Sequence, residues 1–160
     1  GIEQVVRDAR VTMIYEGTNE IQAIDLLVRK VLPDGGAAMS AVLLELRDTL
    51  DASREADADV QRRLAQLRYL GTTIAMSAHA NPVLPYEVAD DYLRVVMLTM
   101  MAWAWARIEA TAGGASAERV RAAAAFRRWV LPEFEMRLGI VKRACEALAL
   151  SHAAAEGVAR

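Results

Sequence analysis

Val95-Val96-Met97-Leu98-Thr99-Met100-Met101-Ala102-Trp103-Ala104-Trp105-Ala106, bounded by Arg94 and Arg107, is the longest apolar run of the chain. A membrane-spanning helix needs about 20 apolar residues, so this run is too short to cross a bilayer. Asp90 and Asp91 just upstream oppose insertion further. The run therefore predicts an interior helix of a globular protein, over about 86–112. Being apolar nearly all round in its middle, it should be the most buried helix.

Outward from this helix the chain is divided by strong breaks. Pro33-Asp34-Gly35-Gly36, Asn81-Pro82-Val83-Leu84-Pro85 and Gly113-Gly114-Ala115-Ser116 separate segments in which apolar residues recur at helical spacing. Ile21, Ile24, Val28 and Val31 form one stripe; Met39, Val42, Leu46 and Leu50 a second; Val60, Leu64, Leu67 and Ile74 a third. The last segment, about 116–154, contains Pro132, which lacks a backbone donor and predicts a kink or break near Val130. Beyond it Phe134, Leu138, Val141, Cys145 and Leu148 fall on one face. No strand-length alternation and no internal repeat are visible. The expected fold is all-α: an antiparallel, up-and-down four-helix bundle over 35–160, preceded by a helix-loop-helix over 1–34.

Composition agrees. The chain has 160 residues, 54% of them hydrophobic and 25% charged, enough for one core of its own. Alanine (31 residues) is abundant and proline (4) scarce, which favours helix over sheet. A net charge of −2 carries no global signature of nucleic-acid or anionic-membrane binding. One cysteine, Cys145, allows no intrachain disulfide, so the cytoplasm is the expected compartment. Seventeen Arg against two Lys suggest a GC-rich bacterial genome. The start at Gly1, inside a helical pattern and without a signal peptide, leads us to expect a piece of a longer protein.

The chemistry-bearing stretch is Arg7-Asp8-Ala9-Arg10 followed, after three residues, by Ile14-Tyr15-Glu16-Gly17-Thr18-Asn19-Glu20-Ile21-Gln22. Glu16 and Gly17 read as a loop before a helix capped by Thr18 or Asn19, with Gln22 spaced to answer Asn19 in a capping box. A carboxylate beside a glycine can be presented to a ligand with no side chain in the way. The plainer alternative is an exposed acid well placed near a helix start.

This stretch resembles the C-terminal signature of the acyl-CoA dehydrogenase family. Ala23-Ile24-Asp25-Leu26 and Arg29-Lys30 are similar to bacterial members that carry an additional C-terminal helical domain, which Trp129-Val130-Leu131-Pro132 resembles only loosely. The resemblance implies that 1–34 ends the dehydrogenase's C-terminal helical domain and that 35–160 is an accessory bundle. It implies FAD-dependent α,β-dehydrogenation of a fatty acyl-CoA to a trans-2-enoyl-CoA, with electron-transfer flavoprotein or a similar acceptor and a homo-oligomeric enzyme. In that signature the glutamate at Glu16 is the general base. Gly17 approaches the acyl-CoA, Tyr15 walls the substrate pocket, and Thr18, Asn19 and Glu20 occupy positions that contact FAD, although many relatives carry Gln where Glu20 stands. Arg7 and Asp8 are expected to hold the preceding helix by ion pairs or hydrogen bonds. With the flavin and acyl-chain domains outside it, the fragment alone is expected to be inactive.

Other residues read as structural. His79 and His152 stand alone, without ligand spacing, so no metal site is expected. Cys145 lies on an apolar stripe as a core thiol. Met97, Met100, Met101, Trp103 and Trp105 suit core packing. Between 114 and 143, seven basic residues (Arg119, Arg121, Arg127, Arg128, Arg137, Lys142, Arg143) face three acids, Glu118, Glu133 and Glu135. The alternative function is therefore a non-catalytic bundle for oligomerisation or DNA binding, with a solvated, ion-paired face as the plainer reading of these charges.

Overall fold

The computed structural model describes the backbone of residues 1–11, 18–111 and 116–158, with the side chains of Val11, Thr18 and 148–158 outside the description. The fold is an all-α helical bundle, without a strand among the described residues. Helix α1 is Ile2–Val11 and α2 is Thr18–Ile24, which continues as a π-helical segment, Asp25–Val31, and a short 3₁₀ turn, Leu32–Asp34. Then come α3 (Ala37–Asp48), α4 (Glu55–Ala78), the short α5 (Leu84–Glu87) and α6 (Ala89–Glu109). Helix α7 (Ala117–Ala125) widens into a second π segment, Phe126–Val130, before α8 (Glu133–Val158).

Helices α4, α6 and α8 pack against one another, α3 lies on α4, and α2 with its π extension lies on α6. As expected, α6 carries the deepest contribution: Tyr92, Val95, Leu98, Thr99, Ala102 and Ala106 are all buried. Its start, however, is Ala89, because Pro85 sits in the separate turn Leu84–Glu87. The stripe Val60, Leu64, Leu67 and Ile74 is buried as read, joined by Leu70. So are Phe134, Leu138, Val141 and Cys145, whose thiol pKa burial pushes up. Met97, Met100, Trp103 and Trp105 pack partly buried against the core, while Met101 is exposed.

Two stripes are shifted from the expected register. Ile21 is 65% exposed, and the buried residues are Ala23, Leu27 and Val31. Their spacing of four follows the wider π turn that begins at Asp25, where a regular 3.6-residue period no longer applies. On α3 it is Leu43 that is buried while Val42 is exposed. Ala23, Leu27 and Val31 share one continuous core with residues from α3 to α8.

Both π segments end at the same tripeptide, Val31-Leu32-Pro33 and Val130-Leu131-Pro132. Proline has no N–H for the next helical bond, so each helix closes with a longer i→i+5 bond one residue earlier. The Leu32 N–H donates to the Leu27 carbonyl, and the Leu131 N–H to the Phe126 carbonyl at 2.9 Å. The predicted break near Val130 is thus a π turn followed by a restart at Glu133.

After Pro33, Gly35 and Gly36 adopt positive φ (64° and 85°), a region open chiefly to glycine. This brings the Asp34 carboxylate over the start of α3, where it accepts the N–H groups of Gly36 (2.9 Å), Ala37 (3.1 Å) and Ala38 (2.8 Å). Those bonds hold its carboxyl below the usual pKa. The α3–α4 connection is tied down twice. Buried Asp57 accepts the Asp51 N–H at 2.9 Å, while Thr49 accepts from Trp103 Nε1 (2.9 Å) and, through its carbonyl, from Arg107 (2.6 Å).

Candidate functional site

Of the residues singled out in the sequence, Tyr15, Glu16 and Gly17 lie outside the described residues. The structure describes what flanks them. Upstream, α1 is exposed along residues 2–10, Arg7 pairs with Glu3 at 3.9 Å, and Asp8 accepts from Gln4 Nε2 at 2.8 Å. The expected contacts of Arg7 and Asp8 are therefore local to α1.

Downstream, α2 begins at Thr18, which places Asn19 inside the first turn rather than at the cap. Asn19 and Glu20 are both exposed. Neither has a hydrogen bond or ion pair with another described residue, so their polar groups are available to a ligand. An amide, which both donates and accepts, and a carboxylate, which accepts, are chemically compatible with the mixed donors and acceptors along the polar edge of a flavin ring. The helix that carries them is fixed from its far end. Leu27 and Val31 are buried, and Arg29 pairs with Asp25 at 3.2 Å on the outer side. Among the described residues, the start of α2 is positioned by a helix seated on α6.

A second locus was not evident from sequence. A cleft of about 470 Å³ opens between the first turns of α4, the C-terminal half of α6 and the π segment after α7. Its inner surface is apolar: Val60, Ala102, Ala106, Phe126 and Leu131, with Trp105 alongside. The Trp105 and Phe126 rings lie with centroids 6.5 Å apart and planes tilted by 33°. Glu55, Asp59, Arg62 and Arg127 stand at its mouth. Arg127 grips Glu109 on α6 with both ends of its fork, at 2.7 and 2.8 Å. The pair holds the Glu109 carboxyl below its ordinary pKa and raises that of the guanidinium. Asp59 pairs with Arg62 and, at 3.1 Å, with Arg63. No sequence motif announces this cleft, because its walls come from three helices far apart in the chain. The one local signal is Pro132, which forces the π turn that presents Phe126.

Of the seven basic residues between 114 and 143, three are engaged within the chain, while Arg119, Arg121, Lys142 and Arg143 form no ion pair among the described residues. Arg137 reaches Asp91 at 2.7 Å and Glu133 at 3.0 Å, Arg127 holds Glu109, and Arg128 stacks 4.8 Å over the Trp129 ring. No group of three or more potential metal ligands occurs among the described residues, and His79 Nδ1 lies 2.9 Å from the Ala75 carbonyl. No described helix is long and apolar enough to cross a membrane.

No family model matches the chain, and no solved structure is significantly similar to it. Two curated proteins are. One is the 3-methylmercaptopropionyl-CoA dehydrogenase of Ruegeria pomeroyi, 42% identical over 71 residues, which amount to 42% of this chain and 12% of that protein. The other is the broad-specificity linear acyl-CoA dehydrogenase FadE5 of Mycobacterium tuberculosis, 41% identical over 51 residues, 32% of this chain and 8% of that protein. The match thus covers about a tenth of each relative's length. Both relatives are acyl-CoA dehydrogenases by name, and the likeness supports that family for this chain.

Proposed function

We propose that the chain is a C-terminal part of a flavin-dependent acyl-CoA dehydrogenase, in which residues 1–34 complete the catalytic helical domain and 35–160 form an accessory bundle. The likeness to two proteins with that activity carries this reading. The signature from Arg7 to Gln22 localises it to Glu16. Glu16 takes the α-proton of a fatty acyl-CoA thioester; Gly17 leaves room for the thioester, and Tyr15 walls the pocket. Thr18, Asn19 and Glu20 face the cofactor. When bound, FAD supplies the acceptor for the hydride that leaves the β-carbon, so that the product is a trans-2-enoyl-CoA. A thioester α-proton is too weakly acidic for a carboxylate of ordinary pKa. A site closed to water raises a carboxylate's affinity for that proton, and hydrogen bonds to a thioester carbonyl stabilise the enolate that develops, which is the environment this role requires.

The electrons pass to an electron-transfer flavoprotein or similar acceptor, in a homo-oligomeric, cytoplasmic enzyme of bacterial fatty-acid β-oxidation. In the intact enzyme, Glu16→Gln lowers turnover by at least about 10²–10⁴-fold with FAD still bound, as read by flavin absorbance. Near-normal turnover in that variant removes Glu16 as the base. The isolated 160 residues neither retain FAD nor oxidise acyl-CoA; a yellow, active preparation of them would refute the division of labour.

A further inference from the structure

We propose that the cleft between α4, α6 and the π turn at Phe126 binds a small amphipathic organic cation, an alkyl- or arylammonium, independently of any flavin chemistry. Its volume of about 470 Å³ lies within the range typical of small-molecule sites. The space exists because Ala102 and Ala106, one turn apart on α6, are small where larger side chains would close it. An apolar body fits between these alanines and the Trp105–Phe126 pair, whose ring faces attract a cation as well as hydrocarbon.

The charges at the mouth select the sign of the polar end. Arg127 is spent on Glu109, Arg62 on Asp59, Arg63 on Glu135 as well as Asp59, and Arg54 on Asp57, so these four arginines are balanced by four carboxylates. Glu55 is exposed and has no partner among the described residues, so the residual charge there is negative. The start of α4 offers no competing anion site. Its positive end is already met by Asp57, buried in the first turn, which accepts the Asp51 N–H and pairs with Arg54 at 3.4 Å. An ammonium group at Glu55 therefore gains a partner, whereas a carboxylate or phosphate gains none.

A chain-matched series tests this on the 160-residue chain: octylammonium, octanol and octanoate, each titrated by calorimetry below its micellar concentration. The ammonium should bind about fivefold more tightly than the alcohol, the size of effect expected for one partly exposed charge contact, and octanoate more weakly than either. Glu55→Gln should abolish the preference for the ammonium and leave octanol binding unchanged. Ala106→Leu, which fills the cleft floor, should weaken the ammonium and the alcohol by about tenfold or more. Ala56→Leu blocks the rim from an outer position and serves where Ala106→Leu fails to fold, as judged by circular dichroism. Equal affinity for the three compounds, preference for octanoate, or full binding in a folded cleft-filling variant overturns the proposal.

Discussion

Two helices flank the proposed catalytic glutamate, and both carry an apolar stripe, yet only one of them is seated. Along α1, Ile2, Val5 and Val6 are 82%, 64% and 51% exposed. In the helix over 18–31, Ala23, Leu27 and Val31 are buried against α6 and share the core of the whole bundle. Amphipathicity states that a helix has a face to bury; it does not supply the surface that receives it. The exposed α1 and the seated α2 thus lie on either side of residues 12–17, within the stretch that resembles the acyl-CoA dehydrogenase signature. Under the function proposed above, α1 would bury its apolar face against another part of the intact enzyme, while the bundle seats the helix over 18–31.

The sharpest way to break this comparison is truncation on each side of it. Leu27→Ala should cost about 2–5 kcal/mol in urea unfolding, the range for a fully buried leucine whose site cannot collapse. A loss below about 1 kcal/mol would mean that the 18–31 helix is not part of the core.

The receiving surface is clamped by charge, which yields a pH test. Glu133 at the start of α8 accepts from Arg94 at 3.0 and 2.6 Å and from Arg137 at 3.0 Å. These bonds, Arg94 foremost, hold its carboxyl pKa below the ordinary 4.5. A carboxyl depressed in the folded state contributes fully above its unfolded pKa, and that contribution is lost as pH falls through the folded value. Glu133→Gln should therefore lower Tm at pH 7 and flatten the fall of Tm between about pH 5 and 3. A parallel acid limb in the variant would show that Glu133 does not titrate with this advantage.

The same seat contains a flaw that substitution should repair. The Tyr92 hydroxyl is buried without a hydrogen-bond partner among the described residues, and burial pushes its pKa up to about 12. Tyr92→Phe removes the unsatisfied group and should stabilise by about 1 kcal/mol, a Tm rise of roughly 2–4 °C. Gly71 faces that hydroxyl across α4: a Cβ there would meet Tyr92 Oη at 3.5 Å and Val31 Cγ1 at 3.9 Å, ordinary contacts. Gly71→Ala should therefore gain about 0.5–1 kcal/mol from helix propensity. Because the two positions touch, the double variant should depart from additivity. The smallest effect closes the series: Val5→Ala on α1 should change stability by less than about 0.5 kcal/mol in this chain. A larger loss would mean that α1 is seated after all.

Much of the bundle was legible because its periodicity is local. The α4 stripe from Val60 to Ile74 and the α8 stripe from Phe134 to Cys145 are buried as their spacing indicates. Ile21 departs from the stripe its spacing indicates because the π segment at Asp25–Val31 alters the period partway along a helix, and the proline that ends it gives no measure of how far the widening extends. The N-terminal anchor of α3 was missed for a related reason. Asp34 precedes that helix by three residues, and only the left-handed conformations of Gly35 and Gly36 bring its carboxylate back over the first turn. For the candidate catalytic stretch, residue order alone pointed to Glu16, Gly17 and their neighbours; the structure adds the exposure of Asn19 and Glu20 and the seating of the helix behind them.

What the sequence determined by itself was the helical class, the main breaks and the dehydrogenase-like signature, since propensity, proline placement and motif identity are properties of neighbouring residues. What only the tertiary structure decided was which apolar face finds a partner, which arginines are already spent on carboxylates, and that three distant helices enclose a cleft above Ala102 and Ala106. Burial and charge pairing depend on distances between residues remote in the chain, and those distances exist only once the helices are packed.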